Sequence, residues 1–159
     1  MLDHVFTQTS LAIALRKTLP IRLTVVKFLN DVATAGTYDE TLRIDTELRA
    51  CYKTLRRTLQ VYEANTTPTA SFAPDAIDFI MHRYISSLHI PYFNASLHEA
   101  IYAYSRKAVL DTSLKIWNLA CPPTSTPETD MTRLCRCGAG FFRAFAFHAS
   151  SFLLSLIHI

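Results

Sequence analysis

His82–Phe93 reads HRYISSLHIPYF and Ala103–Trp117 reads AYSRKAVLDTSLKIW. The first stretch closes a segment in which Ile77, Ile80, Met81, Tyr84 and Leu88 recur at three- and four-residue steps, the period of one helical face. Pro74, at the presumed first helical position with Asp75 behind it, predicts where that helix opens. Pro91 has no N–H to donate, so it is predicted to end it. After a short aromatic turn, Ser96-Leu97-His98-Glu99 has the form of a capping box and predicts a second helix over Leu97–Ala120. That helix carries Ile101, Tyr104, Val109, Leu110, Leu114, Ile116 and Trp117 around most of its girth. Helices apolar all round are buried, so this one is expected at the centre, with truncation of Trp117 to Ala costing about 3–5 kcal/mol.

Upstream, Thr9–Asn30 is helical in pattern, with Pro20 bending it into two helices and opening the second. Its apolar faces are Leu11 and Leu15, then Ile21, Val25, Phe28, Leu29 and Val32. Thr34–Thr37, with Gly36, reads as a connection. Tyr38–Ala64 follows with the stripe Ile44, Leu48, Tyr52, Leu55, Leu59 and Tyr62. Arg49, Lys53, Arg56 and Arg57 fall on another face. That face reads as solvated, with Arg43–Glu47 and Arg49–Asp45 as local pairs; docking of an acidic partner or a DNA backbone is the sharper alternative. Asn65–Ser71 reads as a loop.

Downstream, the prolines of Cys121–Asp130 (CPPTSTPETD) exclude a helix through it, and Pro127 is expected to open a fifth helix. Gly138 and Gly140 are expected inside that helix at about 1 kcal/mol each. Gly140–Ile159 has the 20-residue length of a membrane span. Arg143 and His148 interrupt it, and a central Arg costs about 2.5–3.5 kcal/mol on insertion, so a core helix is the expectation and no membrane is assigned. Leu154–Ile159 (LSLIHI) resembles a translated sequencing-adapter end and is set apart from the protein proper, residues 1–153.

The chain is 159 residues long, 50% hydrophobic and only 18% charged, against a usual charged share of about 25%. That composition implies one domain with a real core and some apolar surface meant for a partner or for a missing remainder. With 3 Gly and 7 Pro, mostly near presumed loops, helices are favoured over a turn-rich β fold. A net charge of +3 with 13 acidic among 16 basic residues makes no demand for nucleic acid, for which a pI above about 9 is usual.

No catalytic constellation emerges. His82, His89 and His98 are seven and nine residues apart, without the i,i+4 pairing of metalloprotease ligands, and read as surface, capping or core histidines. Asp75, Asp78, Glu99 and Asp111 are scattered rather than paired for acid–base work. No Gly-x-Ser-x-Gly occurs. Cys51, Cys121, Cys135 and Cys137 read as free thiols, since one residue between the last two is too few for a zinc pair. No catalytic, cofactor-binding or metal-ligating residue is therefore assigned. Tyr84, Tyr92, Phe93, Tyr102, Tyr104 and Trp117 could line an apolar ligand site, although core packing explains them as well.

Taken with LPIRLTVVKFLND (Leu19–Asp31) and ELRACYKTLRRTLQ (Glu47–Gln60), the two central segments resemble the regulatory middle-homology region of fungal binuclear zinc-cluster transcription factors. They fall in that family's order along most of the chain. The resemblance implies an all-α fragment of a larger helical regulatory domain, acting in the nucleus on RNA polymerase II transcription. It also implies a non-enzyme, with zinc and DNA contact confined to an attached six-cysteine module that this chain lacks. Expected partners are other parts of the same factor, with a second copy, co-regulators or a small-molecule effector as further candidates; no heptad seam for a dimer is visible. An independent helical interaction module without DNA binding is the other reading.

Overall fold

The computed structural model describes residues 8–31, 37–63, 72–123, 128–138 and 140–155. These hold seven α-helices and no strand: α1 (Gln8–Lys17), α2 (Leu19–Asn30), α3 (Tyr38–Glu63), α4 (Phe72–Phe93), α5 (Ala103–Ala120), α6 (Asp130–Cys137) and α7 (Phe141–Ser155). The all-α expectation holds. The chain divides into two compact units, Met1–Ile77 and Asp78–Ile159, with the boundary inside α4.

In the first unit α2 packs on α3. The α1–α2 break follows from Pro20, which cannot donate to the carbonyl four residues back. The joint is tied instead by side chains. Thr18, fully buried, donates its hydroxyl to Leu15 O at 2.9 Å. Arg22 donates to Thr18 Oγ1 at 3.1 Å and to Leu15 O at 2.7 Å. On α3 the predicted stripe holds at Ile44, Leu48, Leu55 and Leu59, which are buried, while Tyr52 is half-buried and the Tyr62 side chain lies outside the described residues; Val25 is the buried residue of α2. Both predicted local pairs form. Arg43 pairs with Glu47 and also with Glu40, holding the Glu40 carboxyl below its ordinary range through the hydrogen bond. Arg49 Nε donates to both oxygens of Asp45 at 2.8 and 2.9 Å, and Asp45 is buried.

In the second unit α5 packs mainly on α7, and α6 touches both. The buried face of α5 is Ser105, Ala108, Val109, Thr112, Ser113, Ile116 and Ala120. Small side chains there let helices approach closely, and Thr112 returns its hydroxyl to Ala108 O at 2.7 Å so that no donor is stranded. This corrects the expectation of an α5 buried around most of its girth. Tyr104, Leu114 and Trp117 lie on its exposed side, Trp117 at 38% and Leu114 at 51%, and Ile101 is exposed just ahead of the helix.

Two boundaries also differ from expectation. Pro91 lies inside α4, which runs on to Phe93. Tertiary contacts outweigh the lost hydrogen bond: Phe93 is buried with its ring edge-on to Phe152 at 5.1 Å, and Tyr92 stacks on Tyr102 at 5.3 Å. Ser96 caps nothing; its hydroxyl donates to Phe93 O at 2.5 Å. Two 3-10 turns, Ala95–Leu97 and Ala100–Tyr102, then precede α5, which starts at Ala103 rather than Leu97.

The expected fifth helix is two helices. α6 is capped by Thr129, whose hydroxyl oxygen accepts the Thr132 N–H at 3.1 Å. It stops at Gly138, where an added Cβ would lie 2.2 Å from the Leu134 carbonyl oxygen. Gly140 has φ +65°, a left-handed conformation that glycine adopts without penalty. The expectations for Val32, Asn65–Ser71, Pro127 and Leu156–Ile159 fall outside the described residues.

Candidate interaction surface

Arg83, the single Lys or Arg of α4, is gripped by rings. Its guanidinium carbon lies 4.0 Å from the Phe141 centroid and 4.2 Å from that of Phe145, both on α7. Tyr84 adds a third ring at 5.4 Å. Arg83 Nε is buried with no hydrogen-bond partner among the described residues. Burial pulls the guanidinium below its ordinary range, with Tyr84 opposing. Cation–π attraction strengthens on desolvation, so this cluster welds α4 to α7. Sequence reasoning passed over Arg83; the signal was a lone cation on an apolar helix and a distant FFRAF run at Phe141–Phe145.

The three histidines do not converge on a site. His82 is buried with Nδ1 2.6 Å from Asp78 O. His89 is fully buried, shares a hydrogen bond with Ser105 Oγ at 2.9 Å, and meets the Tyr104 ring edge-on at 5.5 Å. His98 is exposed beyond the first 3-10 turn. Asp75 and Asp78 are half-buried, and Glu99 and Asp111 exposed. Among the described residues no three His, Cys, Asp or Glu side chains group as metal ligands. Cys135 is buried and Cys137 exposed.

The aromatic set proposed for a ligand pocket is dispersed into ring pairs and exposed positions. A crevice between α4, α5 and α7, lined by Ser86, Ile90, Ile116, Phe145, His148 and Phe152 among others, has a volume of about 10 Å³. That is room for about one water molecule at most, and none of the six aromatics lines it.

What the surface offers is apolar. On α2, Leu19, Leu23 and Val26 are exposed at helical spacing, with Leu29 beside them. On the second unit Ile101, Tyr104, Leu114 and Trp117 are exposed, as are Phe147 (70%) and Leu154 on α7. On α3, Lys53 and Arg57 are exposed, while Arg49 is half-buried on Asp45. Among the described residues no helix is long and apolar enough to cross a membrane.

Among the described residues the fold is all-helical, with apolar side chains exposed on α2, α5 and α7. The chain is similar to fungal transcription regulators. It is 32% identical over 146 residues, 89% of this chain, to the transcription factor lepE of Aspergillus flavus. It is 31% identical over 146 residues, 86% of this chain, to the transcription factor opdR of Penicillium oxalicum. Over 112 residues, 68% of this chain, it is 31% identical to the aspyridones cluster regulator apdR of Emericella nidulans. The chain spans only 15–18% of the length of these relatives. No protein-family model matches it, and no solved structure does.

Proposed function

We propose that this chain is part of the regulatory, middle-homology region of a fungal zinc-cluster transcription factor. In this reading it acts in the nucleus, without enzymatic activity, and controls an attached DNA-binding module that alone carries zinc and touches DNA. The observation that carries the reading is 32% identity to a fungal transcription factor over 89% of the chain. The exposed apolar faces of α2, α5 and α7 support it: they suit a segment that packs against further helices of a polypeptide several times longer. Regulation then works by helix packing, with the first partner being the rest of the same factor.

The test is made in the full-length gene product recovered from the source DNA. Residues 8–155 are replaced by a flexible linker, and reporter transcription is compared with DNA binding in vitro. The expected result is altered transcription with DNA binding retained. Unchanged transcription would remove the regulatory reading. A full-length product without a DNA-binding module would make the chain an independent helical interaction module.

A further inference from the structure

Three of the four cysteines lie close in sequence around the α5–α6 joint. Cys121 ends α5, its N–H donating to Trp117 O at 2.7 Å, and it is exposed. Two residues earlier, the Leu119 carbonyl lies 3.4 Å from Thr132 Oγ1 of α6, which fixes the C-terminal end of α5 beside α6. Cys135 follows Thr132 by three residues, hence on the same side of the helix, and shares the buried face with Met131 and Thr132. Cys137, two residues further on, is exposed. Burial and, in smaller part, the charge of Cys121 push the Cys135 thiol up to about 11.

We propose that Cys121 and Cys135 form a peroxide-oxidised disulfide that ties the end of α5 to α6. The accessible thiolate of Cys121 attacks one oxygen of hydrogen peroxide, breaking the O–O bond, releasing hydroxide and leaving a sulfenic acid. The Cys135 sulfur then attacks the Cys121 sulfur and the S–OH bond breaks. The Cys135 proton and the departing hydroxide leave as water. In sum two thiols and one peroxide give one disulfide and two waters, both sulfurs oxidised and peroxide reduced. The order follows from access: peroxide reaches exposed Cys121, whereas buried Cys135 is protected in its neutral form. This goes beyond the transcriptional reading and stands whether or not that reading does.

The experiment uses the purified 159-residue chain, treated with hydrogen peroxide, alkylated under denaturing conditions and digested with trypsin. Cleavage after Lys115, Arg133, Arg136 and Arg143 puts Cys121, Cys135 and Cys137 on separate peptides. The expected product is the peptide from Ile116–Arg133 linked to that from Leu134–Arg136. It should form in Cys137→Ser, vanish in Cys121→Ser, and raise the melting temperature of the oxidised chain. Cys121→Ser changes an exposed residue, so the test does not depend on a variant that fails to fold. The proposal is overturned if Cys121 links to Cys137 instead, if only intermolecular links form, or if Cys135 is fully alkylated while Cys121 has passed to sulfinic acid.

Discussion

Arg83 of α4 lies over the ring of Phe141 of α7, its guanidinium carbon 4.0 Å from the ring centroid. With Phe145 at 4.2 Å, the cation is held between two aromatic side chains one helical turn apart. Opposing effects meet here. Desolvating a guanidinium costs free energy, whereas a desolvated cation–π contact contributes about 2 kcal/mol or more. The attraction is expected to win because two rings share one cation. Arg83→Met keeps most of the stem and removes the charge, so it should destabilise the chain by about 1 kcal/mol; Arg83→Ala also loses packing and should cost about 2–3 kcal/mol. Urea denaturation of the purified variants measures both. A Met variant as stable as the parent would show that the charge adds nothing beyond its hydrocarbon.

Neighbours on α5 should behave oppositely. Ile116 is buried and Trp117 is 38% exposed. Ile116→Ala is expected to cost about 2–5 kcal/mol through the cavity it opens. Trp117→Ala, at the edge of the exposed face, should cost about 1 kcal/mol. Thermal melts of the two variants decide between this arrangement and an α5 buried on every side. If Trp117→Ala were the more damaging, the face assignment would be wrong.

The contrast between those residues shows what could be read in the sequence. The α3 stripe was legible because Ile44, Leu48, Leu55 and Leu59 repeat at a helical period on a helix otherwise polar. On α5 the pattern held at Val109 and Ile116 but misled elsewhere, because Ser105, Ala108, Thr112 and Ser113 share the buried face while Leu114 and Trp117 face outward. Hydrophobicity marks a face only when the alternative is polar; close helix approach selects small residues regardless of polarity. Pro91 and Ser96 misled for a related reason. Local rules for proline and capping give way when Phe93 and Tyr92 gain ring contacts with Phe152 and Tyr102, residues distant in sequence or held across a turn. The Arg83 cluster was illegible for the same reason: Phe141 and Phe145 lie far along the chain.

The break between α6 and α7 gives a graded prediction. Gly140→Ala meets no neighbouring atom but must hold φ +65°, so it should cost about 1–2 kcal/mol. Gly138→Ala puts its Cβ 2.2 Å from the Leu134 carbonyl oxygen, a backbone atom that cannot swing aside. It should cost more, about 2–4 kcal/mol. Chemical denaturation with circular dichroism ranks them. Equal or reversed losses would mean that the carbonyl moves and that helix α6 can continue past Gly138.

Cys135 supplies the pH dependence. Its thiol is pushed up to about 11 from an ordinary 9.0, chiefly by burial. A raised thiol pKa means that the folded chain holds the neutral form while the unfolded chain ionises earlier. The stabilisation is therefore fully present below pH 9 and is lost as pH rises toward 11. Its size is at most about 3 kcal/mol, at about 1.4 kcal/mol for each pH unit between those values. Unfolding free energies measured from pH 8 to 11 should fall in the parent more steeply than in Cys135→Ala, where this ionisation is removed. In the same window, alkylation of native protein by iodoacetamide should reach exposed Cys121 and Cys137 long before Cys135. Parallel pH curves for the parent and the Ala variant would show that the Cys135 environment is wet rather than buried, and the order of oxidation argued for the α5–α6 joint would have to be reversed.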